Sequence, residues 1–179
     1  MEAGSKYIFL DRDGTIIVNQ HYLSDPNQVV LCKGAIEGLR MLVERGYQLV
    51  VVTNQSGIGR GYFAEADMRM VHERIEDLLG EETISIESFL FCPHLPDDNC
   101  KCRKPNPGLI EDWEKEHPIN KEYSYVIGDR LCDIELGNNA KLKTALIKTT
   151  NYPEIELAAA ISMADYLGGN LKEIAKMIP

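Results

Sequence analysis

The sequence lacks a long apolar run: nowhere does it hold the roughly 20 apolar residues that a membrane-spanning helix requires. Its first residues, MEAGSK, also lack the apolar core of a signal peptide. Positive charge is scarce as well, because 19 Lys and Arg stand against 28 Asp and Glu, a formal net charge of −9. Nucleic-acid binding is driven by clustered Lys and Arg, which this sequence does not contain. We therefore expect a cytoplasmic protein that binds neither membrane nor nucleic acid.

The remaining composition is that of an ordinary globular protein. Hydrophobic residues make up 44% and charged residues 26% of the 179 positions, which excludes disordered and fibrous classes. A chain of this length buries roughly 70% of its unfolded surface as one domain and needs no disulfides. Repeats, linkers and low-complexity tracts are absent. We expect a single domain, residues 1–179, that functions as a monomer.

Short apolar segments alternate with segments of helical periodicity. Five segments have the apolar, β-branched or aromatic character of buried strands: 7–10, 47–53, 88–91, 124–127 and 144–147. Helices are predicted at 34–45, 64–79, 107–116, 155–163 and 171–177. A Gly-rich turn is predicted at 54–61, and an irregular loop at 16–30 that is too short for a cap domain. The alternation predicts an α/β fold, a Rossmann-like parallel sheet flanked by helices.

Polar side chains follow three of these strands: Asp11 and Asp13, Thr53 and Asn54, and Asp129 and Asp133. The carboxyl ends of parallel strands converge on one crevice, so these groups are predicted to be neighbours. Clustered carboxylates repel one another unless a cation lies between them, and hard oxygen ligands favour Mg²⁺. The alternatives are a plain turn at residues 11–14 and a helix cap at Asp129. Asp133 is expected either to stabilise a helix dipole or to orient a metal-bound water.

A second group of ligands lies between the third strand and the helix that follows it. Cys92, His94, Cys100 and Cys102 have the spacing C-x-H and C-x-C within one short loop. Thiolates with one imidazole indicate tetrahedral Zn²⁺ in a cytosolic protein. Four protein ligands fill the coordination sphere, so zinc is expected to organise the loop 92–102 rather than to catalyse. Disulfides are the alternative, and a reducing compartment disfavours them.

Two basic residues, Arg103 and Lys104, follow the last of these ligands and precede Pro105. They supply the local positive charge that an acidic protein needs to handle a phosphate. Lys offers a point charge to a phosphoryl group, and Arg a bidentate fork to a second phosphate or a sugar hydroxyl. The alternative is that both are solvated loop residues. His72 lies in a helical segment and is expected at the surface or in packing.

Four motifs, in order, make the chain similar to the haloacid dehalogenase superfamily of aspartate-nucleophile phosphatases: DRDGT, VVVTNQSG, the lysine of CRKP, and IGDRLCD. The resemblance covers nearly the whole chain. Within the superfamily, the chain resembles the capless branch with a zinc-binding loop. The resemblance implies a Rossmann-like sheet and Mg²⁺-dependent hydrolysis of phosphate monoesters, in agreement with the sites predicted above.

The resemblance also implies roles for individual residues. Asp11 is expected to be the nucleophile that forms an aspartyl-phosphate, and Asp13 the general acid and base. Mg²⁺ is expected on the carboxylates of Asp11 and Asp129 and the backbone carbonyl of Asp13. Thr53 and Lys104 are expected to hold the phosphoryl oxygens. Substrate contacts are expected from Arg12, Asn19, Gln20, His21, Tyr22, Asn54, Gln55, Ser56, Arg60, Arg103 and Arg130.

The implied substrate is a small phosphorylated sugar or amino alcohol. NQSGIGRGYF and VNQHYL are similar to enzymes that remove the 7-phosphate of D-glycero-D-manno-heptose 1,7-bisphosphate, the substrate that we expect. CPHLPDDNCKC and SYVIGDR resemble phosphatases of histidinol phosphate, the alternative. A polynucleotide 3′-phosphatase is disfavoured by the acidic charge. A non-catalytic module that binds through its zinc loop is disfavoured because every catalytic position is filled.

Overall fold

The computed structural model describes residues 4–149 and 152–179, and its centre is a six-stranded, all-parallel sheet. The strands are Tyr7–Leu10 (β1), Gln48–Asn54 (β2), Ser88–Cys92 (β3), Tyr125–Gly128 (β4), Lys143–Ile147 (β5) and Tyr166–Gly168 (β6). Their spatial order is β3-β2-β1-β4-β5-β6. The predicted α/β fold with a parallel sheet is confirmed. The sixth strand was not predicted, because three residues without an apolar run give too weak a pattern.

Seven α-helices connect or flank the strands in the described part of the chain. They are Ala35–Glu44 (α1), Ser56–Gly59 (α2), Glu65–Gly80 (α3), Gly108–Glu114 (α4), Leu131–Ala140 (α5), Glu154–Met163 (α6) and Leu171–Met177 (α7). The predicted Gly-rich turn contains the one-turn helix α2, and α4 is shorter than predicted. At the start of α3, Asp67 accepts a hydrogen bond from the Ala64 N–H (2.8 Å), which is the half of a capping box that an alanine at the N-cap still allows.

The helices form two layers, one on each face of the sheet. Alternate residues of β1 point to opposite faces: Ile8 and Leu10 pack in the cluster that includes Leu39 of α1, and Phe9 packs in the cluster that includes Leu136 of α5. All four residues of β1 are buried, as expected for a strand covered on both faces. Among the described residues, no helix is long and apolar enough to cross a membrane.

The order in which strands are added to the sheet changes side at β1. The strands β2 and β3 lie on one side of β1, and β4, β5 and β6 on the other. Leu10 is level with Val51 of β2 and with Ile127 of β4. Connections that leave in opposite directions open a crevice at the carboxyl ends of such strands, where α/β proteins bind ligands. Asp11, the residue after β1, lies at this crevice.

Candidate active site

A cavity of about 290 Å³ lies at this crevice. The predicted site residues that line it are Asp11, Arg12, Asp13, Asn19, Gln20, His21, Tyr22, Thr53, Asn54, Gln55, Ser56, Lys104 and Arg130. Of the residues predicted to bind substrate or Mg²⁺, three are not among its described lining residues: Arg60, Arg103 and Asp129. Arg60 is exposed after α2, and Arg103 donates a hydrogen bond to the His94 carbonyl (3.3 Å). The carboxylate of Asp129 lies against the backbone of Gly14.

Lys104 is buried at the centre of the site, with only 5% of the residue exposed. Its Nζ lies 2.5 Å from Asp11 Oδ1 and 2.7 Å from Asp133 Oδ1, and it donates to the Val52 carbonyl at 2.8 Å. Burial alone lowers the pKa of Lys104, but the charges of Asp11 and Asp133 outweigh burial and raise it. Lys104 is therefore a fixed positive charge beside Asp11, and it is not a solvated loop residue.

Three buried carboxylates surround this charge. Asp11, Asp129 and Asp133 each offer an oxygen, and the three oxygens lie within 4.8 Å of one another. Burial raises the pKa of Asp11 to about 7 against the opposing charge of Lys104. Burial, followed by the charges of Asp11 and Asp133, raises the pKa of Asp129 to about 8. The site thus holds more negative charge than Lys104 compensates.

Asp129 shows most directly that a cation fits here. Both of its carboxylate oxygens are buried, and neither makes a hydrogen bond of ordinary geometry in the described part of the chain. The effect of burial on the Asp129 pKa is offset only in part by the nearby Tyr152 hydroxyl. Gly14 has φ +93°, and a Cβ on it would lie 2.2 Å from Asp129 Oδ2, so the turn after β1 must approach this carboxylate without a side chain. Hard, unpaired oxygens beside Asp11 are the donors that Mg²⁺ prefers. The residues therefore fit the predicted magnesium site.

The carboxylate of Asp13 is held by its neighbours. Arg12 donates to both Asp13 oxygens, from Nε and from Nη2, each at 3.0 Å. Gln55 Nε2 donates to Asp13 Oδ2 (3.1 Å) and to Thr53 Oγ1 (2.9 Å). Arg12 was predicted to contact substrate, but it is only 1% exposed and its fork is occupied by Asp13. The geometry therefore favours a role for Arg12 in orienting Asp13.

The side chain of Asn54 joins the end of β2 to the segment that carries Lys104. Its Oδ1 accepts from the Lys104 backbone N–H (3.0 Å), and its Nδ2 donates to the Lys104 carbonyl (3.2 Å). Both the oxygen and the nitrogen of the Asn54 amide are thus hydrogen-bonded to the backbone of Lys104. Asn54 lines the cavity as predicted, but its hydrogen bonds position Lys104 and leave little for a substrate.

Cys92, His94, Cys100 and Cys102 come together, as their spacing predicts. The three Sγ–Sγ distances are 3.3, 3.5 and 3.6 Å, and His94 Nδ1 lies 3.2 and 3.5 Å from two of the sulfurs. A disulfide needs about 2.05 Å. Sulfurs bound to one tetrahedral Zn²⁺ at about 2.3 Å lie roughly 3.8 Å apart. The cluster is therefore unbridged and is close in size to a zinc site.

Backbone hydrogen bonds attach this loop to the residues that follow β2. Gln55 N–H donates to the Cys92 carbonyl (2.7 Å), and Gly59 N–H donates to the Pro93 carbonyl (3.1 Å). The Cys/His cluster is thus anchored at its start to α2 and at its end, through Lys104, to Asn54. The loop and the strand end position each other.

Asp133 lies at the site, as its place after the fourth strand predicts, whereas the contacts of Tyr152 and Cys132 with the cavity were not predicted. Asp133 pairs with Lys104 and also accepts from the Arg130 N–H at the start of α5 (3.0 Å), so its position is fixed from two sides. Tyr152 lines the cavity; its hydroxyl accepts from Asn19 Nδ2 (3.2 Å), and its ring lies 4.6 Å from the Arg130 guanidinium carbon. The sequence pointed to Asp133 through its spacing from Asp129, and it held no comparable indication for Tyr152. Cys132 lines the cavity too, but burial raises the pKa of its thiol to about 12.

The chain is similar to known phosphatases in sequence and in fold. The family described as "HAD-hyrolase-like" matches residues 101–174. D-glycero-beta-D-manno-heptose-1,7-bisphosphate 7-phosphatase of Helicobacter pylori strain J99 is 43% identical, over 84% of this chain and 87% of that protein. Histidine biosynthesis bifunctional protein HisB of Legionella pneumophila strain Lens is 38% identical, over 89% of this chain but 46% of that protein. The crystal structure of D,D-heptose 1,7-bisphosphate phosphatase from B. bronchiseptica, complexed with magnesium and phosphate, superimposes with a TM-score of 0.86 at 27% identity, covering 96% of this chain and 97% of that one.

Proposed function

This chain belongs to the haloacid dehalogenase-like phosphatases, the family of the heptose bisphosphate phosphatases, and we propose that it removes the 7-phosphate of D-glycero-D-manno-heptose 1,7-bisphosphate. One observation carries the proposal. Asp11 lines the cavity at the crevice beside β1. Lys104 Nζ lies 2.5 Å from its carboxylate, and the buried carboxylate of Asp129 lies next to it. That arrangement suits an anionic nucleophile and an anionic phosphoryl group in the same place.

In the proposed reaction, an Asp11 oxygen attacks phosphorus and the bond from phosphorus to the sugar oxygen breaks. Asp13, aligned by Arg12 and Gln55, gives a proton to the leaving alkoxide. Asp13 then takes a proton from the water that cleaves the aspartyl-phosphate. Lys104 and Thr53 hold the phosphoryl oxygens as their charge grows.

Two metals accompany the proposal. The carboxylates of Asp11 and Asp129 and the backbone carbonyl of Asp13 would hold Mg²⁺, which when bound screens the repulsion between nucleophile and phosphate. A cation there lowers the pKa of both carboxylates and returns them to their charged forms. Cys92, His94, Cys100 and Cys102 would hold a structural Zn²⁺ that fixes the segment of Lys104.

Substrate recognition is proposed for the residues at the mouth of the cavity. Asn19, Gln20, His21, Tyr22, Ser56 and Arg130 line it without belonging to the hydrogen-bonded network around Asp11 and Asp13. Arg60 and Arg103 are not among the described lining residues, so their contact would be with a part of the substrate that projects outward. A cytoplasmic location and a monomeric state remain predictions.

Histidinol phosphate is the second candidate, because the Legionella bifunctional histidine-biosynthesis protein is 38% identical to this chain. Steady-state kinetics on both compounds, with Mg²⁺ and Zn²⁺ present, separates the two candidates. We expect a kcat/KM for heptose bisphosphate that exceeds the value for histidinol phosphate by at least about 100-fold, because the polar residues at the cavity mouth would lose their partners on the sugar hydroxyls and the second phosphate. A preference for histidinol phosphate would reverse the assignment.

A further inference from the structure

A buried histidine lies behind the site, on α3. His72 is 7% exposed, and its ring stacks on Phe89 of β3 with the ring centroids 4.4 Å apart and the planes at 18°. Its Nε2 lies 3.3 Å from Nη1 of Arg12. A guanidinium can only donate hydrogen bonds, so Nε2 must be the acceptor and the ring proton must be on Nδ1. One tautomer of a neutral imidazole fits this position.

The same guanidinium links His72 to the proposed general acid. Nη1 of Arg12 faces His72, while its Nε and Nη2 donate to the two oxygens of Asp13. Arg12 is 1% exposed, so water does not supply a substitute partner for Nη1 if His72 is removed. The guanidinium is thereby held at both edges, and its orientation sets that of the Asp13 carboxylate.

We propose that His72 is a positioning residue for the phosphatase reaction, which orients Asp13 through Arg12. The inference rests on the proposed function, because it assigns His72 to a step of that reaction. Burial, with the charges of Arg12 and Arg69 adding to it, lowers the pKa of His72 to about 3. The imidazole is then neutral at physiological pH, in keeping with its role as an acceptor beside a cation.

A positioning role and a packing role of His72 predict different losses of kcat/KM for substrates with different leaving groups. An alkoxide is a poor leaving group and needs the proton that Asp13 supplies, whereas a 4-nitrophenolate leaves without much help. Because kcat/KM reports the step up to leaving-group departure, a misplaced Asp13 lowers it for the sugar phosphate and spares the nitrophenyl ester. A general loss of packing lowers both alike.

The test compares His72→Phe, which keeps the stacking on Phe89 but has no acceptor, with His72→Gln, whose amide oxygen can take the place of Nε2. For His72→Phe we expect kcat/KM to fall about 10-fold on heptose bisphosphate, a fraction of the full effect of a general acid, and to change less than about 2-fold on 4-nitrophenyl phosphate. His72→Gln should stay within about 3-fold of wild type on both. Phe89→Leu, which removes the stacking and keeps the acceptor, is the matched control.

Equal losses on both esters, or the same loss in His72→Gln as in His72→Phe, would overturn the positioning role while leaving the proposed function intact. Wild-type protein that hydrolyses neither ester would instead count against the proposed function. The ¹⁵N NMR spectrum of the wild-type imidazole gives a second test that needs neither a folded variant nor activity. Unprotonated Nε2 with a proton on Nδ1 is the expected result, and a proton on Nε2 would overturn the inference.

Discussion

At the scale of single residues, Asp129 combines burial with a lack of partners. Only 2% of the residue is exposed, and neither oxygen accepts a hydrogen bond of ordinary geometry from a described residue. Burial and the charges of Asp11 and Asp133 raise the pKa of Asp129, and the Tyr152 hydroxyl nearby lowers it only in part against them. An ionised carboxylate in that position costs several kcal/mol unless a cation compensates it. The residue is therefore a source of instability in the metal-free protein and a source of affinity for a divalent cation.

The substitution Asp129→Asn should raise the free energy of unfolding of the Mg²⁺-free protein by about 2 kcal/mol above a pH of about 8. The sign follows from the raised pKa: the native state holds the proton more tightly than the unfolded state, so stability falls as pH rises from about 4 to about 8. Urea unfolding across this pH range measures the difference. Mg²⁺ should stabilise wild type and leave the variant unchanged.

Asp112→Asn is the matched control, because Asp112 has a side chain that is 72% exposed and should show neither effect. An Asp129→Asn variant that Mg²⁺ still stabilises as much as wild type would place the cation elsewhere.

The sequence predicted Asp11, Asp13, Thr53 and Lys104 because each belongs to a short motif, and the strand ends that carry three of them meet at one edge of the sheet. His72 could not be predicted in this way. Its contact with Arg12 depends on how α3 packs beside β3, and nothing in the local sequence encodes that packing. Arg60 and Arg103 were chosen by motif position, and the fold leaves both outside the described lining of the cavity.

At the scale of elements, the end of β2 and the Cys/His loop are joined through Asn54. Replacing Asn54 by Ala removes two hydrogen bonds to the Lys104 backbone, each of which contributes about 1 kcal/mol. We expect the melting temperature to fall by roughly 4–8 °C. We expect kcat/KM to fall about 30-fold, because Lys104 is held less firmly beside Asp11. Steady-state kinetics and thermal unfolding of the same preparation check this.

Asn170→Ala is a suitable comparison, because the Asn170 amide also makes two hydrogen bonds, both to Glu173 of α7, and Asn170 is not among the described lining residues of the cavity. It should lower the melting temperature and leave kcat/KM unchanged. If Asn54→Ala kept wild-type kcat/KM, the position of Lys104 would not depend on this amide.

The Cys/His loop gives a second test at this scale. Cys100→Ser removes one of four ligands, so the protein should lose bound zinc and the amides of residues 93–106 should exchange faster with solvent. Since Lys104 Nζ contacts Asp11, turnover should fall together with substrate affinity. Metal analysis and hydrogen exchange measured by mass spectrometry are the readouts.

Cys32→Ser provides the control, because Cys32 lies outside the cluster and should keep both zinc and activity. Unchanged zinc content in Cys100→Ser would show that the loop does not bind metal through this thiolate.

The strands were predictable to the extent that they are buried on both faces. The apolar run of β1 predicts its bounds, and the runs of β2 and β4 predict theirs to within one residue. At the edge of the sheet, β6 has only three residues, of which Leu167 is exposed, so no apolar run marks it. Likewise, the one turn of α2 lies in a Gly-rich segment whose local propensity favours a turn, and packing against the Cys/His loop overrides that propensity.

At the scale of the whole molecule, the charge distribution bears on the polynucleotide alternative. The chain has a net charge of −9, while the positive charge of Lys104 is buried at the site and neutralised by Asp11 and Asp133. We expect a 3′-phosphorylated oligonucleotide to be hydrolysed with a kcat/KM at least about 100-fold below that for heptose bisphosphate, because little counterion release assists its binding. Phosphate release measured at low and high salt checks this. Efficient hydrolysis that weakens steeply with salt would favour the polynucleotide reading.

In the proposed reaction, Asp11 accepts the phosphoryl group of the heptose 7-phosphate. Rapid quenching of wild-type enzyme and Asp11→Asn with heptose bisphosphate radiolabelled in the 7-phosphate, followed by peptide mapping, detects this transfer. We predict label on the peptide that contains Asp11 in wild type, no label in the variant, and a loss of turnover on the order of 10⁴-fold. Label on a different residue, or full turnover by Asp11→Asn, would rule out Asp11 as the nucleophile.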